Sequence, residues 1–136
     1  MRLNGILLTT AVLTAVAVAA LPAAAKEGVR AVLTQPIDLS TPPREHMRIE
    51  WRLLDEEGRP FGASGVYLRV SRCGGRPRTV SARGRGRGRY VASVRVPEGG
   101  IRKLLVGLKG WRITPTRKTR ADRYFQFDPP LYRRCD

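Results

Sequence analysis

An all-β domain, built as an antiparallel sandwich of about seven strands, is the fold class that this sequence predicts. Apolar and polar residues alternate along several short segments, which is the two-residue period of a β-strand. The chain has 14 glycines and 10 prolines, and many of them stand in turns between these segments. Few stretches keep the 3.6-residue period of a helix. Short strands with regular Gly and Pro turns favour a sandwich over a barrel or a βαβ fold.

Residues 1–25 have the organisation of a secretory signal peptide. Arg2 supplies a positive start, and residues 6–21 are apolar apart from scattered threonines. The three alanines at 23–25 form the small-residue pattern that signal peptidase cuts, here before Lys26. The alternative is an uncleaved N-terminal anchor, although the apolar run is shorter and richer in alanine than the roughly 20 strongly apolar residues of a bilayer span.

Residues 26–136 are expected to form a single exported domain, periplasmic or extracellular. A chain of this length buries about 60–68% of its unfolded surface, enough for a modest core. The whole sequence has a formal net charge of +15. Only Arg2 would leave with the signal peptide, so the mature domain stays strongly basic. No second apolar run could span a membrane, and no transmembrane segment is expected after cleavage.

The first half of the domain contains three predicted strands. Residues 29–33 form a short one. Apolar and charged residues then alternate through residues 47–53, which is the pattern of a half-buried strand. Turn-forming residues follow at 55–60. The third strand has an inward set at alternate positions, with Tyr67 and Arg69 on the opposite side; this set is Val66, Leu68 and Val70.

Four further strands are predicted in the second half. A weaker run at residues 78–82 follows Gly74 and Gly75. Residues 90–96 alternate cleanly, with the inward set Tyr90, Ala92, Val94 and Val96, and the strand stops at the turn formed by residues 97–100. Two more strands complete the prediction, at residues 104–108 and 124–127.

Four blocks of turn and strand residues carry a family resemblance. They are Asp55–Pro60, Gly65–Leu68, Gly88–Ala92 and Val96–Gly100. Over about residues 45–110 the chain resembles bacterial secreted immunoglobulin-like modules, including the YtkA-like and FixH-like group. The resemblance implies an antiparallel immunoglobulin-like β-sandwich. Such groups often have a membrane anchor or a link to metal-related machinery, but these motifs specify a fold rather than a function, so no functional residue is carried over.

Cys73 and Cys135 are the two cysteines of the chain. An even pair in an oxidising compartment predicts a disulfide rather than reactive thiols. The loop that it closes is long, so the chain-entropy model gives a stabilisation of roughly 4 kcal/mol. Two unpaired thiols, or an intermolecular bridge through Cys135 near the C-terminus, are the alternatives.

The candidates for catalytic and metal-binding residues are few. His46 is the single histidine, and its neighbour Met47 points to the opposite face of the predicted strand, so the two cannot easily share an ion. Asp55, Glu56 and Glu57 could supply acid and base groups, but a solvated turn explains three adjacent carboxylates more simply. We therefore expect no enzyme activity, no cofactor and no metal site.

The most distinctive segment is an arginine tract in which glycine alternates with Arg83, Arg85, Arg87 and Arg89. In an extended chain, the two-residue period would place all four on one side over roughly 20 Å. Guanidinium groups bind two oxygens at once and suit phosphate, sulfate and carboxylate, so the tract is a candidate anion-binding site. The alternative is a flexible Gly-rich hairpin connection that its charge keeps soluble. Further positive charge comes from Arg117, Lys118, Arg120, Arg133 and Arg134.

The expected function is an exported, non-catalytic binding or structural module. Its basic surface would face an anionic cell-envelope polymer, lipid headgroups or an acidic protein. Nucleic acid is not expected as a partner, because no aromatic residue interrupts the tract and the signal peptide takes the chain away from most nucleic acid. The alternative is an accessory or chaperone-like subunit of a membrane or periplasmic complex, which would use an exposed sheet edge or an apolar patch.

Overall fold

Ten β-strands form the secondary structure of residues 28–136, the part of the chain that this computed structural model describes. The predicted signal peptide, residues 1–25, lies outside the described residues. No helix long and apolar enough to cross a bilayer occurs between residues 28 and 136. The strands are β1 Arg30–Leu33, β2 His46–Leu54, β3 Val66–Arg72, β4 Arg78–Ser81, β5 Arg83–Gly86, β6 Arg89–Arg95, β7 Ile101–Leu108, β8 Trp111–Ile113, β9 Lys118–Arg120 and β10 Arg123–Tyr132.

Eight of these strands form one mostly antiparallel sheet in the order β4-β3-β7-β10-β1-β2-β6-β5. The parallel exception is β1 beside β10, where Ala31 is opposite Phe127. The two edge strands, β4 and β5, follow each other in the chain with only Ala82 between them. The sheet therefore curls until its edges come near each other, and its shape is nearly that of a barrel. Strands β8 and β9 form a separate two-stranded sheet.

The all-β class predicted from the sequence is confirmed. The immunoglobulin-like sandwich of about seven strands is not confirmed, because residues 28–136 contain ten strands and eight of them share one sheet. The sequence also favoured a sandwich over a barrel, whereas the eight-stranded sheet is nearly closed. Alternation identifies the two faces of each strand, but it contains no information about which distant strands pair.

The inner face of the sheet forms the hydrophobic core. The alternating apolar residues of β2 are buried as predicted, and so are those of β6. Trp51 is fully buried at its centre. Its ring stacks on Tyr90 with centroids 6.0 Å apart and meets Phe127 edge-on at 5.9 Å. Aromatic rings bury large areas and favour these two geometries, so this cluster packs side chains of β2, β6 and β10 together in the core.

The predicted disulfide between Cys73 and Cys135 is present, with the two Cα atoms 5.7 Å apart. Cys73 follows directly after β3, and Cys135 lies three residues beyond the end of β10. The bond closes a segment with a sequence separation of 62 residues. It therefore fastens the C-terminal segment to the end of a strand on the other side of β7.

The last strand is longer than predicted. The sequence indicated residues 124–127, whereas β10 runs from Arg123 to Tyr132 and includes Pro129 and Pro130. Its pairing with β7 is interrupted between Gln126 and Leu131 and then resumes. Proline has no N–H to donate, so a strand accommodates it where the ladder is already broken, as here.

Candidate anion-binding site

The arginine tract folds as a β-hairpin and not as one extended run. Strand β5 ends at Gly86, the turn contains Arg87 and Gly88, and β6 begins at Arg89. Gly86, Arg87 and Gly88 have positive φ angles of 79°, 53° and 68°. Three successive residues in the left-handed region reverse the chain, and glycine is the residue that adopts this region most readily.

Gly88 is where the hairpin meets the rest of the domain. Its carbonyl accepts a hydrogen bond from the Leu53 amide at 2.8 Å. A Cβ added at this position would lie 2.8 Å from the Leu53 carbonyl oxygen and 3.0 Å from the Phe61 nitrogen. A side chain would therefore collide with backbone atoms on two sides. The glycine fixes how closely the arginine tract packs against β2.

The register of β2, β5 and β6 brings further cations beside the tract. Arg52 of β2 is directly opposite Arg89 of β6, and His46 is opposite Arg95. These exposed residues alternate with the buried ones of the core, so they lie on the outer side of the sheet. We call this surface the basic face; its arginines are Arg48, Arg52, Arg83, Arg85, Arg89 and Arg95.

Two adjoining grooves run across the basic face. One, of about 410 Å³, is lined by Arg48, Arg85 and Arg89 together with Glu50. The other, of about 430 Å³, has Arg48, Arg83 and Arg85 in its wall. Arg85 thus contributes to both grooves, while Arg87 stands exposed at the turn. The structure brings three of the four tract arginines onto one surface and leaves Arg87 at its end.

Acidic groups compensate little of this charge. The Arg48 Nε donates to Glu50 Oε1 at 2.6 Å. Within residues 28–136, the other five arginines of the basic face make no ion pair, and neither does Arg87. Like charges directly opposite each other destabilise a pair of strands. The facing cations Arg52 and Arg89 would therefore gain from an anion between them.

The other candidate residues from the sequence occupy ordinary positions on a strand or in a turn. His46 is exposed and Met47 is buried, on opposite faces of β2 as expected. Asp55 accepts hydrogen bonds from the backbone N–H groups of Arg59 at 2.8 Å and Glu57 at 3.0 Å, and from Arg59 Nε at 2.9 Å. The Arg59 N–H is the main cause that holds the pKa of Asp55 below its ordinary value. These contacts are those of a turn. No group of three His, Cys, Asp or Glu side chains between residues 28 and 136 converges to hold a metal ion.

Sequence reasoning missed a polar cluster on the outer side of β3. Tyr67 was assigned to the side of its strand opposite the inward set, yet only 3% of it is exposed. Its hydroxyl donates to the Asp122 carboxylate and lies 3.0 Å from the Tyr124 hydroxyl. The Nε and Nη2 atoms of Arg120 each donate to Asp122 at 2.9 Å. One residue in the sequence could have indicated this burial, namely Gly107, which is opposite Tyr67 in the sheet. The glycine leaves room for the tyrosine ring, because a Cβ added at Gly107 would lie 2.4 Å from that ring.

This cluster shifts two ionisation equilibria. The hydrogen bonds from Arg120 and then from Tyr67 lower the pKa of Asp122 well below its ordinary value. Burial, and then the hydrogen bond to Asp122, raises the pKa of Tyr67. The aspartate is therefore ionised and the tyrosine protonated at neutral pH. Arg120 ends β9, so the cluster holds the base of the β8–β9 hairpin against β3.

Comparison with protein-family models, curated proteins and solved structures finds no match to this chain. The basic face presents several guanidinium groups with few acidic partners, and its exposed position suits a large ligand. Such an arrangement can hold several anionic groups at once.

We expect replacement of Asp122 by asparagine to destabilise the domain in a pH-dependent way. A carboxyl whose pKa is lowered by folding stabilises the native state above its unfolded pKa, here 3.8, and this contribution is lost as the pH falls further. The difference in unfolding free energy between parent and Asp122→Asn should therefore stay constant from neutral pH down to about 4 and shrink as the pH falls further to about 2. Urea unfolding of both proteins at several pH values measures it. A pH-independent difference would contradict this explanation.

Proposed function

We propose that this chain is an exported, non-catalytic binding module whose basic face holds an anionic polymer of the cell envelope. The observation that supports this most is the row of uncompensated cations across three strands. Arg52 and Arg89 are directly opposite each other, and Arg83 and Arg85 extend the same surface on β5. If the arginine tract were only a flexible connection that its charge keeps soluble, there would be no reason for further cations to lie opposite it on β2.

The dimensions of the basic face favour an extended polyanion. Neighbouring strands lie about 4.8 Å apart, so β2, β6 and β5 span roughly 10 Å across. Along β6, the distance from Arg89 to Arg95 corresponds to roughly 20 Å of extended chain. A surface of this size contacts several phosphate, sulfate or carboxylate groups in succession, and their binding energies add along a polymer.

The disulfide supports export to an oxidising compartment. Such bonds persist in secreted and periplasmic proteins and are rare in the cytosol. The bond between Cys73 and Cys135 therefore agrees with the predicted signal peptide. We propose a periplasmic or extracellular location, where envelope polymers with phosphate or carboxylate groups are accessible to the basic face.

An immunoglobulin-like interpretation of the fold belongs to the same proposal. The strand order divides into two halves, β4-β3-β7-β10 and β1-β2-β6-β5, which meet at the β1–β10 pairing. In chain order, these halves correspond to the C′-C-F-G and A-B-E-D sheets of immunoglobulin domains. This correspondence supports the resemblance to secreted immunoglobulin-like modules. The relation to the YtkA-like and FixH-like group stays a prediction.

The test replaces Arg83, Arg85, Arg87 and Arg89 by glutamine and measures binding to polyphosphate and to polygalacturonate. We expect at least a tenfold loss of affinity, since three charges leave the basic face and a fourth leaves its end, with a nearly unchanged melting temperature because exposed charges contribute little to folding. Binding by the parent should also weaken steeply as salt rises from about 0.05 to 0.5 M, because the screening length shrinks.

A matched control removes four exposed cations outside the basic face. These are Arg76, Arg102, Lys109 and Arg134. We expect this variant to keep most of the parent's affinity for both polymers. Equal losses from the two variants would mean diffuse charge attraction and would contradict a site. No loss from either variant would also reject the proposal and favour the accessory-subunit alternative.

A further inference from the structure

A short hairpin outside the main sheet carries two exposed large apolar side chains. Strands β8 and β9 pair only with each other, and every residue from 111 to 120 is exposed. We call this segment the outer hairpin. Trp111 is 58% exposed and Ile113 is 74% exposed. Solvent-exposed tryptophan and isoleucine on one small protruding element indicate a surface that contacts another apolar phase.

The outer hairpin is also cationic. It has four basic residues and no acidic one: Arg112, Arg117, Lys118 and Arg120. Trp111 is opposite Arg120 and Ile113 is opposite Lys118, so cations and apolar groups share one face. The Lys118 Nζ lies 4.6 Å from the centroid of the Trp111 ring. This mixture matches a partner that is negatively charged at its surface and apolar just below it.

Backbone hydrogen bonds close the outer hairpin at both ends. At its tip, the Thr114 amide donates to the Arg117 carbonyl at 2.8 Å. At its base, Ala121 donates to the Gly110 carbonyl at 2.9 Å, and an added Cβ at Gly110 would lie 2.4 Å from the Ala121 oxygen. A two-stranded hairpin alone is marginally stable in water. Asp122 accepts hydrogen bonds from both Arg120 and Tyr67, so it ties the base of the outer hairpin to β3 and supports the strands that carry Trp111 and Ile113.

We propose that the outer hairpin docks on an anionic lipid bilayer. Trp111 and Ile113 would enter the boundary between headgroups and acyl chains, where tryptophan is enriched in membrane proteins. Arg112, Arg117 and Lys118 would lie at the lipid phosphates. Each strand of three residues is about 10 Å long, which matches the 5–10 Å depth of interfacial insertion.

A bilayer fits the outer hairpin better than a protein groove does. Membrane binding by a peripheral element grows with its buried apolar area and with its attraction to anionic lipids, and this hairpin supplies both an apolar pair and a basic cluster. Each cation near an anionic membrane strengthens binding by about fivefold, the equivalent of the usual free energy per Lys or Arg. Since the outer hairpin and the basic face are different surfaces, this inference does not rest on the polymer-binding proposal.

The test replaces Trp111 and Ile113 together by serine, which leaves the net charge unchanged. We expect the partition of the full chain into phosphatidylcholine vesicles containing phosphatidylglycerol to fall at least tenfold, because the apolar contribution is lost. The melting temperature and polyphosphate binding should stay as in the parent. In the parent, vesicles should shift the tryptophan fluorescence to shorter wavelength, and the variant should lose this shift.

Two controls keep the result specific. Tyr132, which is 68% exposed outside the outer hairpin, is replaced by serine and should leave vesicle binding unchanged. Vesicles of phosphatidylcholine alone should bind the parent weakly. Three results would overturn the inference. They are vesicle binding by Trp111→Ser/Ile113→Ser at the parent's level, an equal loss of binding in the Tyr132 variant, and equal binding of the parent to both vesicle types. If the parent does not bind anionic vesicles but still binds polyphosphate, the membrane inference fails and the polymer proposal is unaffected.

Discussion

Replacement of Trp51 by alanine is expected to remove a large part of the stability of the domain. The side chain is fully buried and contacts the rings of Tyr90 on β6 and Phe127 on β10. Truncating a buried tryptophan costs about 3–5 kcal/mol, because the transfer free energy is lost and a cavity remains. Domains are stable by only about 5–15 kcal/mol. Urea unfolding at neutral pH measures the loss.

Replacement of Trp51 by phenylalanine is the matched control. It keeps an aromatic ring between Tyr90 and Phe127 and removes the indole N–H. That Nε1 atom is buried and has no hydrogen-bond partner among residues 28–136. Leaving a buried donor unpaired costs about 1–3 kcal/mol, so its removal offsets part of the lost packing. The phenylalanine variant should be clearly more stable than the alanine variant. A loss below about 1 kcal/mol for alanine would contradict the central role of this residue.

The second large effect concerns the disulfide. Replacing Cys73 and Cys135 together by serine should lower the unfolding free energy by about 4 kcal/mol, because the unfolded chain regains the freedom of a long closed loop. The sequence separation of 62 residues sets this magnitude. For a domain of this size the melting temperature should fall by roughly 15 °C or more. Calorimetry of parent and variant measures both quantities.

Reduction of the parent provides the control for the disulfide prediction. In the presence of a thiol reductant, the parent should melt near the temperature of the double serine variant. Thiol titration of the denatured parent without reductant should find no free cysteine. A parent that melts at the same temperature before and after complete reduction would show that the bond does not stabilise the fold.

Much of the local structure could be predicted from alternation alone. Residues 47–53 and 90–96 have the burial pattern that their periodicity indicates, because a half-buried strand must place every second side chain in the core. The arginine tract was also identified as a charged feature, since its composition is evident without a fold. Its geometry was not, because an extended run and a hairpin have the same local pattern.

Contacts between distant segments could not be predicted in this way. Tyr67 was assigned to the outer side of β3, and it does lie there, yet it is buried by Asp122 and Tyr124, more than 50 positions further along the chain. Apolar and charged residues alternate only over residues 111–113, before Pro115, and no strand was predicted between residues 108 and 124. In the sequence, nothing distinguishes Trp111 and Ile113 from other apolar residues, and only the fold shows that they are exposed.

The sequence by itself determined the all-β class, the inward side of the main strands, the pairing of the two cysteines and the strong positive charge. These properties follow from local periodicity, composition and the oxidation chemistry of two thiols. Only the tertiary structure decided that eight strands close almost into a barrel, that Arg52 meets Arg89, and that Asp122 holds the outer hairpin. The physical reason is that strand pairing and register depend on packing and hydrogen bonding between segments far apart in the chain, which no local pattern encodes.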